Sequence, residues 1–257
     1  MPLDARLFIQ GTVTVVTGLL FAYVGRIVLA RRLDPDAHRA NLAFATWWWA
    51  FGAVELISGV YSIAAAFGFR DLALVVTLLN LLLVLIVAAV GSLVYFLLYV
   101  YTGSRRALWP VLLAYGSMAI GFLYLVAWMQ PLGFDEARGA GRITFARELG
   151  PGASVVIGLF FSGPVLVAAL GYGSLFFRAT GRLQRFRIGA VAGSFIVWFG
   201  WSFLRSVLQL SERYPRSNLL LAVGSALSIG AALVVMSAYR PPRWVTRRFR
   251  LAAPDPS

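Results

Sequence analysis

The sequence predicts an all-α, polytopic membrane protein, a bundle of seven transmembrane helices with its N-terminus outside and its C-terminus in the cytoplasm. Three observations predict it. The 257-residue chain is 60% hydrophobic and only 13% charged. Its apolar residues fall in repeated runs of about twenty, the length that crosses a hydrocarbon core about 30 Å thick; with no water to satisfy backbone groups there, such runs span as helices. The basic residues are all Arg and are divided unequally between alternate connections, as in membrane proteins whose cytoplasmic loops carry the positive charge.

Composition also excludes chemistry. With no Lys there is no side-chain amine for a retinal-type Schiff base, and with no Cys there is no disulfide, thiolate metal site or cysteine nucleophile. The single His, His38, falls in a charged connection, so no intramembrane pair of histidines can ligate haem. No cofactor is expected. The net charge of +13 is accounted for by topology, without nucleic acid as a partner.

The expected spans are residues 8–30, 42–66, 72–101, 107–130, 152–177, 187–210 and 217–239, a transmembrane domain over 1–240 followed by a basic tail over 241–257. MPLDARLF runs straight into the first span, so no cleavable signal peptide is expected. The connections after spans one, three and five, with the tail, hold 15 of the 23 Arg; the opposite side holds Arg6, Arg70, Arg138, Arg142, Arg147, Arg213 and Arg216, and Arg205 lies within span six. The majority side is the cytoplasm, which makes this a multi-pass protein of the inner (cell) membrane.

Span one carries Gln10, Thr12 and Thr14, able to hydrogen-bond to neighbouring helices. Asp34-Pro35-Asp36 then reads as a turn feeding a helix start. Span two (NLAFATWWWAFGAVELISGVYSIAA) carries one carboxylate, Glu55, about 20 Å in from Asn41 on a helical rise. A charge at that depth costs roughly 2.5–3.5 kcal/mol on insertion scales, so Glu55 should face the interior with a partner. Trp48, Gly52, Glu55 and Ser62 recur at helical spacing on one face. A protonated Glu55 that only fixes helix packing is the alternative.

Span three has one strongly polar interior residue, Asn80, and closes on Tyr95, Tyr99 and Tyr101 before a basic turn with Arg105 and Arg106. Residues 131–150 are read as a solvated connection containing a short hairpin around Gly139-Ala140-Gly141. Span five contains Pro164, a kink site, and Gly171-Tyr172-Gly173-Ser174 is too weak a match for a phosphate loop. Arg182, Arg185 and Arg187 open span six, in which Ser194, Trp198, Trp201 and Arg205 share a face. Arg205 is about 27 Å beyond Arg187 on a helical rise, near the depth of Glu55. A Glu55–Arg205 pair bordered by Trp48, Trp198, Trp201 and Asn80 is the leading site; the alternative has Arg205 snorkelling to the headgroups. Span seven is rich in small residues, and the tail RWVTRRFRL is a basic amphipathic segment. Its Arg243, Arg247 and Arg248, with the loop arginines Arg105, Arg106, Arg182, Arg185 and Arg187, are expected to meet anionic inner-leaflet lipids or a cytoplasmic partner.

Trp48-Trp49 followed by Glu55-Leu56, and Tyr101-Thr102-Gly103-Ser104-Arg105-Arg106 at the end of span three, resemble the seven-helix membrane-sensor region at the N-terminus of some bacterial sensor histidine kinases. The resemblance implies a sensing bundle and no catalytic residue. Such kinases carry a cytoplasmic catalytic part after the seventh span, where this sequence has only residues 240–257, so signalling is expected to pass through a separate protein. The spans hold no His, Cys or Asp and one Glu, too few groups for a nucleophile and base or a metal centre. The favoured expectation is therefore a non-enzymatic receptor or sensor module for a small lipophilic ligand. A proton-coupled or small-solute transporter with Glu55 titrating, and an accessory subunit of a larger assembly, are the alternatives.

Overall fold

The computed structural model describes residues 4–30, 35–102, 108–127, 131–134, 143–145, 151–210 and 218–250; within these, the side chains of 35–37, 102, 108, 110, 111, 114, 125–127, 131, 132, 134, 143–145, 151–158, 199, 201–210, 218–222, 246 and 248–250 are not described. The chain folds into α1 (Ala5–Leu29), α2 (Pro35–Ala66), α3 (Leu72–Thr102), α4 (Leu108–Ala127), β1 (Pro131–Phe134), β2 (Ile143–Phe145), α5 (Pro151–Arg178), α6 (Arg182–Leu210), α7 (Asn218–Tyr239) and α8 (Arg243–Arg250). The fold is helical but not purely so: β1 and β2 pair antiparallel, Phe134 opposite Ile143 and Pro131 opposite Phe145, within the connection where a hairpin was expected. Among the described residues, Ala5–Leu29, His38–Ala66, Leu72–Tyr101 and Leu159–Arg178 are long and apolar enough to cross a membrane, and Val223–Tyr239 is a shorter apolar helix.

Helix ends follow local chemistry. The Asp4 carboxylate accepts from the backbone N–H groups of Arg6 and Leu7 at 3.0 and 3.2 Å, capping α1. Proline at the first position of α2 loses no bond, because that N–H has no partner inside a helix; α2 thus starts at Pro35 rather than near residue 42. It stops in a Schellman motif. Gly68, at φ 86°, donates to the Ala65 carbonyl and Phe69 donates to that of Ala64. Arg70 donates to the carbonyls of Ala65 and Phe69, and Asp71 accepts from the Leu74 N–H, so the turn into α3 is hydrogen-bonded throughout.

Packing closes α1, α2, α3, α5, α6 and α7 into a ring, each against the next and α7 back against α1, with α4 seated outside on α3 and α5. The tightest seam is α1 on α2. Gly11 and Gly59 approach so closely that a Cβ on either would lie 2.8 Å from the other's carbonyl oxygen, and a Cβ on Gly18 would lie 2.8 Å from that of Gly52. The spacing of seven within each helix keeps these glycines on one stripe and lets the backbones touch. Trp49 Nε1 donates across the same seam to the Ala22 carbonyl at 3.1 Å, and the Asp4 N–H donates to the Ala66 carbonyl at 3.1 Å.

α5 runs on through Pro164. A proline there has no N–H for the carbonyl four residues earlier, Phe160, and the Tyr115 hydroxyl of α4 donates to that carbonyl at 3.5 Å. Gly171-Tyr172-Gly173-Ser174 lies inside α5 rather than in a loop, and the Tyr101 phenol of α3 occupies the space over Gly171 where a Cβ would stand. At the same end α8 packs on α6, with Val245 buried and Trp244 exposed.

Candidate functional site

The centre of the ring is filled by rings. Phe44, Trp47, Trp48 and Phe51 recur at helical spacing on the inward face of α2; Phe21 enters from α1, Phe96 from α3, Tyr172 from α5, Phe195 and Trp198 from α6, and Tyr239 from α7. Among the described residues no Cα of α2 comes within 8 Å of one in α6, so these helices meet through side chains. Trp198 lies 5.1 Å from both Trp47 and Phe51 and 6.2 Å from Trp48, centroid to centroid. Trp47 and Trp48 stand edge-to-face at 4.7 Å, and Phe21 meets Trp48 at 5.2 Å. These separations are in the favourable range for aromatic pairs, each contributing roughly 0.5–1.5 kcal/mol beyond burial.

The electrostatics of this core are one-sided. The indole N–H groups of Trp47, Trp48 and Trp198 are all buried, and among the described residues none has a hydrogen-bond acceptor. An unpaired buried donor costs about 1–3 kcal/mol; indole edges against π-faces offset only part of that. The three donors belong to rings whose centroids lie within 6.2 Å of one another, so one small region of the core carries the cost of all three.

Phe44 meets Phe195 and Phe51 meets Trp198, so α2 and α6 run in the same direction. Glu55 follows Trp48, and Arg205 follows Trp198, by the same seven positions. Each is therefore about 10.5 Å beyond the tryptophan layer on the helical rise. Glu55 is half-buried, on the stripe Trp48, Phe51, Glu55, Ser58, Ser62 that continues the core face of α2. On α1 the matching stripe beyond buried Phe21 holds buried Thr17, then Thr14 and Gln10; Thr14 and Thr17 return their hydroxyls to backbone carbonyls of their own helix.

No family model and no curated protein matches this chain. Its chemistry is accordingly argued from the site, as function must be wherever fold alone is in hand. The core offers indole donors, aromatic faces and, one layer on, a carboxylate.

Of the sequence-predicted residues, Trp48 and Trp198 are brought together in the core, with Glu55 on the same face of α2. Asn80 is not brought to them: its side chain is exposed on the outward stripe of α3 with Ala73, Thr77, Val84 and Ala88, because the inward stripe is Val75, Leu79, Leu82, Ile86, Ala89 and Leu93. Trp201 and Arg205 are on α6, where side chains are not described, and Arg105 and Arg106 lie outside the described residues. Arg182, Arg185, Arg243 and Arg247 are exposed and Arg187 is half-buried, at the ends of α5–α8 that share one side of the bundle. Arg248 is in α8, its side chain not described. Sequence reasoning missed Trp47, Phe44 and Phe21. The spacing 44, 47, 51 held the signal, but in a run of three tryptophans it did not say which would turn inward; Trp49 turns to α1 instead.

Register alone puts Glu55 and Arg205 at one level, and a double-mutant cycle tests whether they pair. Glu55→Gln and Arg205→Met are each expected to lower the thermal midpoint in detergent, and the double variant to lose less than the sum by about 0.5–3 kcal/mol. Strict additivity would mean two independent side chains.

Proposed function

We propose that this protein is a multi-pass, seven-span sensor or receptor of the inner membrane, non-enzymatic, with its arginine-rich end in the cytoplasm. The observation that carries the proposal is the collection of three buried indole N–H groups without acceptors on the core face that leads to Glu55. A small lipophilic ligand with hydrogen-bond acceptors and a donor enters at the Glu55 layer, donates to the carboxylate and meets the indole donors of the tryptophan layer. Because α2 and α6 meet through these rings, a ligand that prefers one ring arrangement shifts how the two helices pack. The exposed arginines at the ends of α5, α6 and α8 support contact with anionic headgroups or a separate cytoplasmic signalling protein. The resemblance to kinase-linked sensor regions agrees with this reading.

Native mass spectrometry of the protein extracted from its own membrane tests it. A stoichiometric small molecule is expected, with occupancy falling about tenfold or more in Glu55→Gln if one charge-assisted hydrogen bond is lost. Full occupancy in that variant would remove Glu55 from the site. A proton flux abolished by Glu55→Gln, with no retained ligand, would replace the sensor reading by a transporter.

A further inference from the structure

Two crevices open between α2 and α3, further along α2 than the aromatic core. One, of about 200 Å³, is lined by Ser58, Ser62, Val75 and Leu82 among others. The second, of about 370 Å³, is lined by Leu56, Val60, Phe69 and Leu74. Ile57, Tyr61 and Leu78 line both, so the crevices meet at Tyr61. The Tyr61 hydroxyl is withdrawn from solvent and has no hydrogen-bond partner among the described residues, a group whose burial is costly until an acceptor arrives.

Its depth follows from the length of α2. The helix has 32 residues, about 48 Å against a hydrocarbon core of about 30 Å. Its polar start, PDAHRA, takes up about 9 Å on the same rise, which leaves about 9 Å at the far end. Tyr61 precedes Ala66 by five positions, about 7.5 Å on that rise, and so stands where hydrocarbon gives way to headgroups. Arg70 follows in the turn, its guanidinium held on the carbonyls of Ala65 and Phe69 and near enough to act on the Tyr61 hydroxyl.

We infer that the α2–α3 crevice holds one phospholipid, its acyl chain along Ile57, Leu74 and Leu78, an ester carbonyl accepting from Tyr61, and its phosphate at Arg70. The layers match: apolar walls, then a lone hydroxyl donor, then a cation, in the order in which a phospholipid presents chain, ester and phosphate. The inference rests on the membrane-spanning part of the proposed function and is independent of the ligand at Glu55.

The test is native mass spectrometry of the full chain titrated with dioleoyl phosphatidylglycerol, and in parallel with oleic acid. Flotation of the protein with vesicles of that lipid checks the membrane reading separately. Wild-type chain is expected to float and to retain one phosphatidylglycerol preferentially; Tyr61→Phe, which removes one hydroxyl, is expected to float but bind that lipid about five- to tenfold more weakly. Leu78→Trp, which fills the crevice from its opposite wall, is expected to lose the preferential site, with folding checked by an unchanged thermal midpoint in lipid-free detergent. A chain that fails to float overturns the membrane reading. A chain that floats with equal lipid retention in Tyr61→Phe, or that retains oleic acid as well as phosphatidylglycerol, overturns the phospholipid site alone.

Discussion

Trp48→Ala is expected to destabilise the bundle by about 3–5 kcal/mol, the range for emptying a large aromatic site in a packed core. Trp48 is 1% exposed and touches Phe21, Phe44, Trp47 and Trp198. No neighbour can follow its loss, because Phe21, Trp47 and Trp198 are themselves fixed on three different helices. Trp48→Phe is the informative companion. It keeps an aromatic face and deletes a buried N–H that has no acceptor, so relief of about 1–3 kcal/mol in polar burial offsets lost packing, leaving a net change below about 1.5 kcal/mol. Thermal unfolding in detergent measures both. If Phe cost as much as Ala, the indole N–H would have to be satisfied in the folded protein, and the argument for a ligand-directed donor would fail. Retention of stability with loss of the bound molecule in Trp48→Phe would assign that donor to binding.

The second large effect is expected in the α1–α2 seam. A Cβ at Gly18 would lie 2.8 Å from the Gly52 oxygen, 2.8 Å from Leu56 Cγ and 2.9 Å from the Leu56 nitrogen. Two of these are backbone atoms of a helix and cannot rotate away. Gly18→Val therefore forces the two helices apart, which withdraws the Ala22 carbonyl from the Trp49 donor at its 3.1 Å distance. Overpacking of this kind costs about 1–3 kcal/mol, and more where the obstacle is backbone; a loss of at least about 3 kcal/mol is expected. Gly91→Ala in α3 is the control. A Cβ there meets nothing within 4 Å, and alanine is the better helix former by up to about 1 kcal/mol. Equal loss in both variants would show that the cost belongs to glycine replacement in general and not to the seam.

Much of the helical layout was legible in the apolar runs and punctuation. Asp34-Pro35-Asp36 announces the start of α2, whose first helical residue is Pro35. The seam was less visible. Gly11, Gly18 and Gly25 repeat every seven residues in α1, as Gly52 and Gly59 do in α2, yet the stripe that drew notice was the small-residue run of span seven. Spacing marks a candidate contact face on each helix separately and does not say which faces meet. Asn80 went astray for the same reason: a lone amide in an apolar helix is expected to turn inward, but the inward stripe of α3 is set by the apolar residues that pack, and Asn80 falls off it.

What the sequence determined by itself was local or additive: helices from runs of apolar length, their caps from Asp, Pro and Gly, and the crowding of arginines at one end. Hydrogen bonds four residues apart and the count of charged groups need no distant partner, so they can be read along the chain. The tertiary structure alone decided which of three consecutive tryptophans face the core, that three neighbouring indole rings keep buried N–H groups without an acceptor among the described residues, and that half-buried Tyr61 has its hydroxyl withdrawn from solvent without a described partner. Each is a property of empty or filled space between helices far apart in sequence. That space is set by how closely glycines let α1 approach α2 and how far rings hold α2 from α6.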